Sequence, residues 1–207
     1  MAGAHRAPAA GDLWGSTSEV AWRAALDSYA ETVGRQGVDG LDQIDRWVRE
    51  ELSARIAARE PPHVTLDELV QVTRWKMSRG VWRGRNLALV RSNAPDDVVR
   101  VSRDALAAVP DPRAPIRILG WLDGVGPATA SAVAAAAAPD VYPFFDEIAA
   151  AQIPELGKLG FTSAYYARYS EAIRRRSAEL GKNWSPVMVE RALWAHAGGK
   201  AGARAGS

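Results

Sequence analysis

Residues 118–147 read ILGWLDGVGPATASAVAAAAAPDVYPFFDE, and our prediction of the fold depends mainly on this segment. Gly124-Val125-Gly126 stands between two apolar segments. Pro127 follows at a position where a helix tolerates proline, because the first N–H groups of a helix have no internal partner. The alanine-rich residues after it are small enough for another helix to pack closely. The stretch therefore predicts a helix, a tight glycine turn and a second helix over residues 116–138.

The glycine turn has the features of an anion site. Two glycines one residue apart let the backbone adopt positive φ and approach a ligand closely. The first amides of the following helix point outward without a partner, at the positive end of the helix dipole. A phosphate oxygen of DNA suits such a site. We therefore predict DNA contacts at the turn and at the start of the helix, by Gly124, Val125, Gly126, Ala128 and Thr129.

The pattern Leu-x-Gly-Val-Gly-x-x-Thr-Ala, followed after a short loop by Pro-Phe-Phe-Asp, resembles the helix-hairpin-helix (HhH-GPD) DNA glycosylases of base-excision repair. In that family the hairpin grips the DNA backbone, and an aspartate at a set spacing after its second glycine is catalytic. Asp146 stands 20 residues after Gly126 (146 − 126 = 20), which matches that spacing. The resemblance is strong over residues 116–149 and diffuse over residues 65–197. It implies that Asp146 acts on the sugar of a nucleotide extruded from double-stranded DNA.

Two residues depart from the family pattern. Asp123 replaces the usual proline, and Ala128 occupies the position where bifunctional members carry a lysine nucleophile. The resemblance therefore implies a monofunctional glycosylase without lyase activity, in which water is the nucleophile. It also allows a structural monovalent cation at the hairpin, since carbonyl groups line such turns in the family. No organic cofactor is indicated.

Each motif also has a plainer interpretation. A Gly-x-Gly turn between helices is common, and Asp146 is suited to cap a helix that begins near Glu147. The capping role and the catalytic role are compatible, because a capped carboxylate is also a fixed one. Two other classes of function stay open: a non-catalytic, sequence-independent DNA-binding module, and a helical protein-interaction domain with no nucleic-acid role.

The most basic stretch covers residues 74–86 and contains five cations and two tryptophans. This composition suits phosphate contacts beside an aromatic surface. We predict three DNA contacts there: Arg79, Arg83 and Arg85. The alternative is a solvated charge run whose tryptophans point into the core. Candidate walls of a base pocket, with the same core alternative, are Trp82, Trp121, Tyr142, Phe144 and Phe145.

Composition limits the remaining functions. With 26 basic and 24 acidic residues, the net charge of +2 is too small to attract nucleic acid over the whole surface, so DNA binding requires a local patch. The absence of cysteine excludes disulfides and the cysteine-ligated iron–sulfur cluster of some members of the resembled family. The three histidines are too scattered to suggest a metal site.

No apolar run has transmembrane length and the N-terminus lacks a signal-peptide core, so we expect no membrane partner and a cytoplasmic location.

Apolar residues recur with helical spacing nearly everywhere, which predicts an all-α fold. We expect one helical domain at residues 13–197, as a single body or as two lobes, with loose tails at residues 1–12 and 198–207. The first helix is expected to start at a capping box of Ser16 and Glu19 and run to Gly34, with Val20 among its core residues. We expect Ser92 and Asn93 to cap a helix rather than contact DNA. We expect a further helix after Asp39, one that starts at a capping box of Thr65 and Glu68, and a last one that starts at Ser185-Pro186. Four more helices are expected at residues 83–92, 95–109, 115–122 and 162–180.

Overall fold

The structure, a computed structural model that describes residues 12–201, consists of helices joined by short loops, with no β-strand within that range. The all-α prediction is confirmed. The helices are α1 (Glu19–Asp27), α2 (Tyr29–Gly34), α3 (Leu41–Arg46), a π-helical segment (Trp47–Leu52), α4 (Ser53–Ala57), α5 (Leu66–Arg79), α6 (Gly84–Arg91), α7 (Pro95–Ala107), α8 (Ala114–Leu119), α9 (Pro127–Ala137), α10 (Glu147–Ala151), a 3₁₀ turn (Pro154–Leu156), α11 (Ser163–Leu180) and α12 (Pro186–His196).

Several helix starts lie where the sequence predicts them. The Thr65 hydroxyl accepts a hydrogen bond from the Glu68 amide at 3.3 Å, and the Glu68 carboxylate accepts one from the Thr65 amide at 2.9 Å. This is the reciprocal capping box expected at the start of α5. Helix α12 likewise begins at Pro186. Proline suits this first position, because an N–H there would have no partner within the helix.

The N-terminal region differs from the expectation in three ways. Ser18, not Ser16, caps α1, because its hydroxyl accepts from the Ala21 amide. The expected single helix breaks at Ser28 into α1 and α2. Val20, expected in the core, is 80% exposed, because it lies on the face of α1 opposite to the buried Trp22.

Helix α9 lies in the core, and its residues 128–136 are all buried. It packs against α5, α8, α4 and the π-helical segment. The small alanine side chains allow these backbones to approach closely, so that many weak dispersion contacts add up. Helix α12 closes the other side of the core by packing against α1, α2, α10 and α11. The loop after α9 therefore carries Asp146 into the space between α5 and α12.

The expected tails fall largely outside the described range, since residues 1–11 and 202–207 are not part of it. Residues 198–201 are described and are bonded to the rest of the domain. The Gln36 amide group donates to the Gly198 carbonyl at 3.2 Å and accepts from the Ala201 amide at 2.9 Å. The Lys200 ammonium donates to the carbonyl of Gly80. This segment therefore belongs to the folded domain.

Candidate functional site

The Asp146 carboxylate is held from two sides. As the N-cap of α10, its Oδ1 accepts hydrogen bonds from the amides of Ile148 at 2.8 Å and Ala149 at 3.4 Å. Its Oδ2 accepts from Nη2 of Arg79 at 3.3 Å. The residue is only 6% exposed. The capping interpretation is therefore correct, and the carboxylate is fixed in position.

Arg79 is a buried counterion in this structure, with 1% of its surface exposed. Its Nη2 donates to Glu190 at 2.7 Å as well as to Asp146, and its Nη1 donates to the Tyr29 hydroxyl at 3.2 Å. The guanidinium lies 4.4 Å from the ring centroid of Trp194, a distance that allows a cation–π contact. Burial alone would lower the pKa of Arg79, but Glu190, Tyr29 and Asp146 raise it overall, so the side chain stays charged. The expected DNA contact by Arg79 requires a side chain at the surface, whereas the side chain of Arg79 lies in the core.

Glu190 is the second carboxylate that faces Arg79, and it is fully buried. Burial raises the pKa of Glu190 to about 7, while the positive charge of Arg79 acts in the opposite direction. The negative charge of Asp146 adds to the increase. One guanidinium therefore serves two buried carboxylates, and burial disfavours the ionised form of Glu190.

A third buried acid, Asp45, continues this network through Tyr29. The Tyr29 hydroxyl donates to Asp45 at 2.6 Å, and the Trp75 indole N–H donates to the same oxygen at 2.9 Å. Arg49 donates to the other oxygen of Asp45 at 2.8 Å. Sequence reasoning missed this network, because its members come from α2, α3, α5 and the π-helical segment and share no local pattern.

The two glycines of the hairpin have different roles. Gly124 has φ +75°, and a Cβ there would lie 2.5 Å from the carbonyl oxygen of Asn86 and 2.9 Å from the nitrogen of Val90. Gly124 therefore lets the hairpin touch α6. Gly126 has φ −94° and ψ 179°, and nothing lies within 4 Å of the position of its Cβ. The expectation of positive φ is correct for Gly124 and wrong for Gly126.

The start of α9 leaves two amides without a hydrogen-bond partner inside the helix. The first helical hydrogen bond runs from the Ala130 amide to the Gly126 carbonyl at 2.9 Å. The amides of Ala128 and Thr129 precede that bond, and no side chain caps this helix. The amide of Val125, in contrast, donates to the Leu122 carbonyl at 3.2 Å. Val125 is thus a packing residue whose amide is already bonded. Ala128 and Thr129 are also buried overall, but together with the exposed Gly126 they line a cavity, and these three residues are the part of the expected anion site that a ligand could meet.

Asn93 also holds the hairpin in place. Its side-chain amide donates to the Asp123 carbonyl at 3.0 Å and accepts from the Asp123 amide at 2.9 Å. It also donates to the Val90 carbonyl at the end of α6. Ala94, not Asn93, is the N-cap of α7, so the expected cap on α7 is wrong. The side chain instead links the end of α6 to the hairpin turn.

A cavity of about 350 Å³ connects the hairpin with Asp146. Gly126, Ala128 and Thr129 line it, and so does Asp146. The remaining lining residues are Lys76, Gly80, Val81, Arg83, Asn86, Pro127, Phe144, Phe145, Glu147 and Phe161. The structure thus brings the two parts of the sequence motif to one cavity.

The aromatic residues of the basic stretch divide between core and surface. Trp75 is buried, whereas Trp82 is 56% exposed. Arg83 and Arg85 are exposed, and Arg83 lines the cavity. Of the other candidate walls, Phe144 and Phe145 line the cavity, Tyr142 is buried outside it, and Trp121 is 60% exposed on the hairpin.

A larger groove of about 920 Å³ lies on the other side of Gly80, between the α2–α3 loop and α5. It contains neither Asp146 nor a hairpin residue. Size alone would favour this groove as a binding site. The smaller cavity is the better candidate, because it is the one that combines a fixed carboxylate with the helix amides.

Within residues 12–201, no helix has both the length and the apolar character needed to cross a bilayer. The same residues contain no cluster of three histidine, aspartate or glutamate side chains arranged to hold a metal ion.

No protein-family model matches the sequence, and the curated proteins and solved structures contain no significant match to the chain.

Proposed function

We propose that the protein binds duplex DNA through its Gly-Val-Gly hairpin and hydrolyses the N-glycosidic bond of a flipped nucleotide with the help of Asp146. The observation that carries this proposal is the cavity of about 350 Å³ shared by the α9 amides and the Asp146 carboxylate. A phosphate held by the amides of Ala128 and Thr129 would place the adjoining sugar next to that carboxylate. The all-α helix-hairpin-helix glycosylase architecture is part of the same proposal.

The cavity suits an extruded nucleotide in size and lining. Pockets for small ligands usually have volumes of about 300–1,000 Å³ and mostly apolar walls with a few polar groups. Phe144, Phe145 and Phe161 supply aromatic surface for a base, and Val81 adds to it. Chemistry at the glycosidic bond requires that the nucleotide leave the stack, because the bond is inaccessible within a duplex.

The fixed carboxylate accounts for the proposed chemistry. As the base departs, the sugar gains positive charge, and a negative group held beside it stabilises the transition state more than the ground state. Arg79 and two backbone amides hold the Asp146 carboxylate in one orientation, so little reorganisation is needed during the reaction. The attacking group is water, which Asp146 can orient or deprotonate. Ala128 offers no amine for a Schiff base at its position.

DNA binding itself would combine backbone amides with exposed cations. The amides at the start of α9 contact a phosphate regardless of sequence, and Arg83 and Arg85 lie on the exposed basic stretch beside the cavity. No step of this proposal uses a metal ion or an organic cofactor.

A non-catalytic DNA-binding module is the second candidate, and one observation favours it. Both oxygens of Asp146 already accept hydrogen bonds within the protein. In this candidate the carboxylate has one role, which is to hold α10 in place against α5. This candidate keeps the hairpin contacts and removes the chemistry.

The two candidates differ in base release. The test is to incubate the protein with duplex DNA that carries deaminated, oxidised or alkylated bases and to quantify free bases by mass spectrometry. The glycosylase proposal predicts release by the wild type and loss of release in Asp146→Asn, which keeps a helix-capping side chain. Asp140→Asn, at an exposed position, is the matched control and should act like the wild type. Equal release by wild type and Asp146→Asn would contradict the mechanism.

A further inference from the structure

Lys76 projects into the same cavity from α5 and has no role in the chemistry described above. Its side chain is half-buried and makes no hydrogen bond or ion pair with any residue of the described range. Burial lowers the pKa of Lys76, the nearby Arg83 lowers it further, and Glu147 has the opposite effect. An ammonium group that is partly removed from water without a partner is unfavourable for folding. Its position therefore points to a ligand that supplies the missing acceptor.

None of the other residues that line the cavity accepts a hydrogen bond from Lys76. Phe144, Phe145 and Phe161 are apolar, and Asp146 is already bonded to Arg79 and to the α10 amides. Glu147, at the start of α10, lies on the cavity and within electrostatic range of Lys76 but does not bond to it. The cavity thus presents a free hydrogen-bond donor and a free acceptor between aromatic walls.

This pair of groups complements one type of base edge. A carbonyl oxygen next to a ring N–H would accept from Lys76 and donate to Glu147. The parent base carries an amino group beside an unprotonated ring nitrogen. Deamination turns this pair into a carbonyl oxygen beside a ring N–H, and several oxidised bases present the same edge. A base that is alkylated on a ring nitrogen carries a positive charge instead and has no need of a cationic donor.

We propose that Lys76 selects the substrate of the proposed glycosylase reaction, and that the substrates are neutral deaminated or oxidised bases which present a carbonyl oxygen. This inference rests on the proposed function. A neutral base leaves as an anion, so a donor at its carbonyl stabilises charge that develops in the transition state. A cationic alkylated base leaves as a neutral molecule and gains nothing from that contact.

The step balances as a hydrolysis. The bond between C1′ and the base nitrogen breaks, and its electron pair goes to the base, which takes up a proton from Lys76. Water adds its oxygen to C1′ and passes a proton to Asp146. Solvent then returns a proton to Lys76 and accepts the one on Asp146. The products are a free base and an abasic site.

The test compares single-turnover release of two groups of bases from otherwise identical duplexes. One group is neutral and consists of uracil, hypoxanthine and 8-oxoguanine, and the other is cationic and consists of 7-methylguanine and 3-methyladenine. The variants are Lys76→Met, Lys76→Arg and, as a matched control at an exposed lysine, Lys182→Met. Thermal unfolding of each variant serves as the check on folding.

We expect the wild type to release at least one neutral base and to prefer it over the cationic ones. Lys76→Met should slow neutral-base release by about 100-fold or more, a usual contribution of a proton donor. Lys76→Arg should retain more of the rate, and Lys182→Met all of it. Two results would overturn the role of Lys76 and leave the proposed function standing. One is release of cationic bases alone, and the other is equal slowing of both groups by Lys76→Met, as expected for a phosphate contact. Release of no base at all would overturn both.

Discussion

The guanidinium of Arg79 and the carboxylate of Asp146, 67 residues apart in the chain, meet in the core with Nη2 and Oδ2 3.3 Å apart. The contact joins the end of α5 to the start of α10. Because Arg79 also binds Glu190 on α12, three separate helices depend on one side chain for their charge balance. The position of the candidate catalytic group is therefore set by the core rather than by a surface loop.

Arg79→Met should destabilise the fold severely, because it leaves Asp146 and Glu190 buried without their counterion. Breaking a buried ion pair by removing one partner costs about 3–5 kcal/mol. The free energy of unfolding, measured with urea, should fall by that amount. Arg83→Met, in the same basic stretch but exposed, should change it by less than about 0.5 kcal/mol. Equal effects of the two substitutions would show that Arg79 is not the buried counterion.

The raised pKa of Glu190, about 7, predicts a pH dependence of stability. The folded state binds a proton on Glu190 more tightly than the unfolded chain does. The contribution of this group to the free energy of unfolding is therefore fully present at pH values below the ordinary pKa of glutamate, and it is lost as the pH rises through 7. The charged groups that face Glu190 are Arg79, Asp146 and Arg191. Glu190→Gln should therefore gain stability relative to the wild type between pH 5 and pH 8. A difference between the two proteins that does not change with pH in urea unfolding would contradict this.

The two hairpin glycines should respond differently to alanine. Gly124→Ala combines positive φ with a Cβ 2.5 Å from the Asn86 carbonyl oxygen, and should lower the free energy of unfolding by about 3 kcal/mol. Gly126→Ala adds its Cβ to open space at an ordinary φ, and should leave stability within about 0.5 kcal/mol of the wild type. Urea unfolding of both variants checks this, and similar losses would mean that the hairpin does not have the described geometry.

The exposed arginines beside the cavity predict a salt dependence of DNA binding. If Arg83 and Arg85 each neutralise one phosphate, the double alanine variant should reduce the slope of log K against log salt concentration by about 2. The control, Arg35→Ala, removes an exposed cation at the end of α2 and should leave the slope unchanged. Fluorescence anisotropy at several salt concentrations gives these slopes. An unchanged slope in the double variant would exclude the basic stretch from the DNA contact.

Helix positions were largely predictable from the sequence, because local signals determine them. The capping box at Thr65 and the proline at residue 186 act within a single helical turn, and the structure has both. The break at Ser28 and the π-helical segment 47–52 carry no such signal. They follow from packing against helices that are distant in the sequence.

The candidate site was predictable only in part. The spacing between the glycine turn and Asp146 is a sequence feature, and the structure brings both to one cavity. The burial of Arg79 could not be foreseen, because the residue lies in a basic run that looks like a solvated surface. Its partners, Glu190 and Tyr29, come from opposite ends of the chain. No local pattern shows that these groups meet.

The most direct measurement is the affinity for duplex DNA that carries a cationic abasic-site analogue, compared with undamaged duplex. The proteins are the wild type, Asp146→Asn and Gly126→Leu, the last of which blocks the α9 amides at a position with open space around it. We predict a strong preference of the wild type for the analogue, loss of that preference in Asp146→Asn with binding to undamaged duplex retained, and loss of all binding in Gly126→Leu. If the wild type binds both duplexes with equal affinity and Asp146→Asn does not change this, the glycosylase proposal is contradicted and a non-catalytic DNA-binding module is left. If the protein binds neither duplex, a protein-interaction domain is favoured.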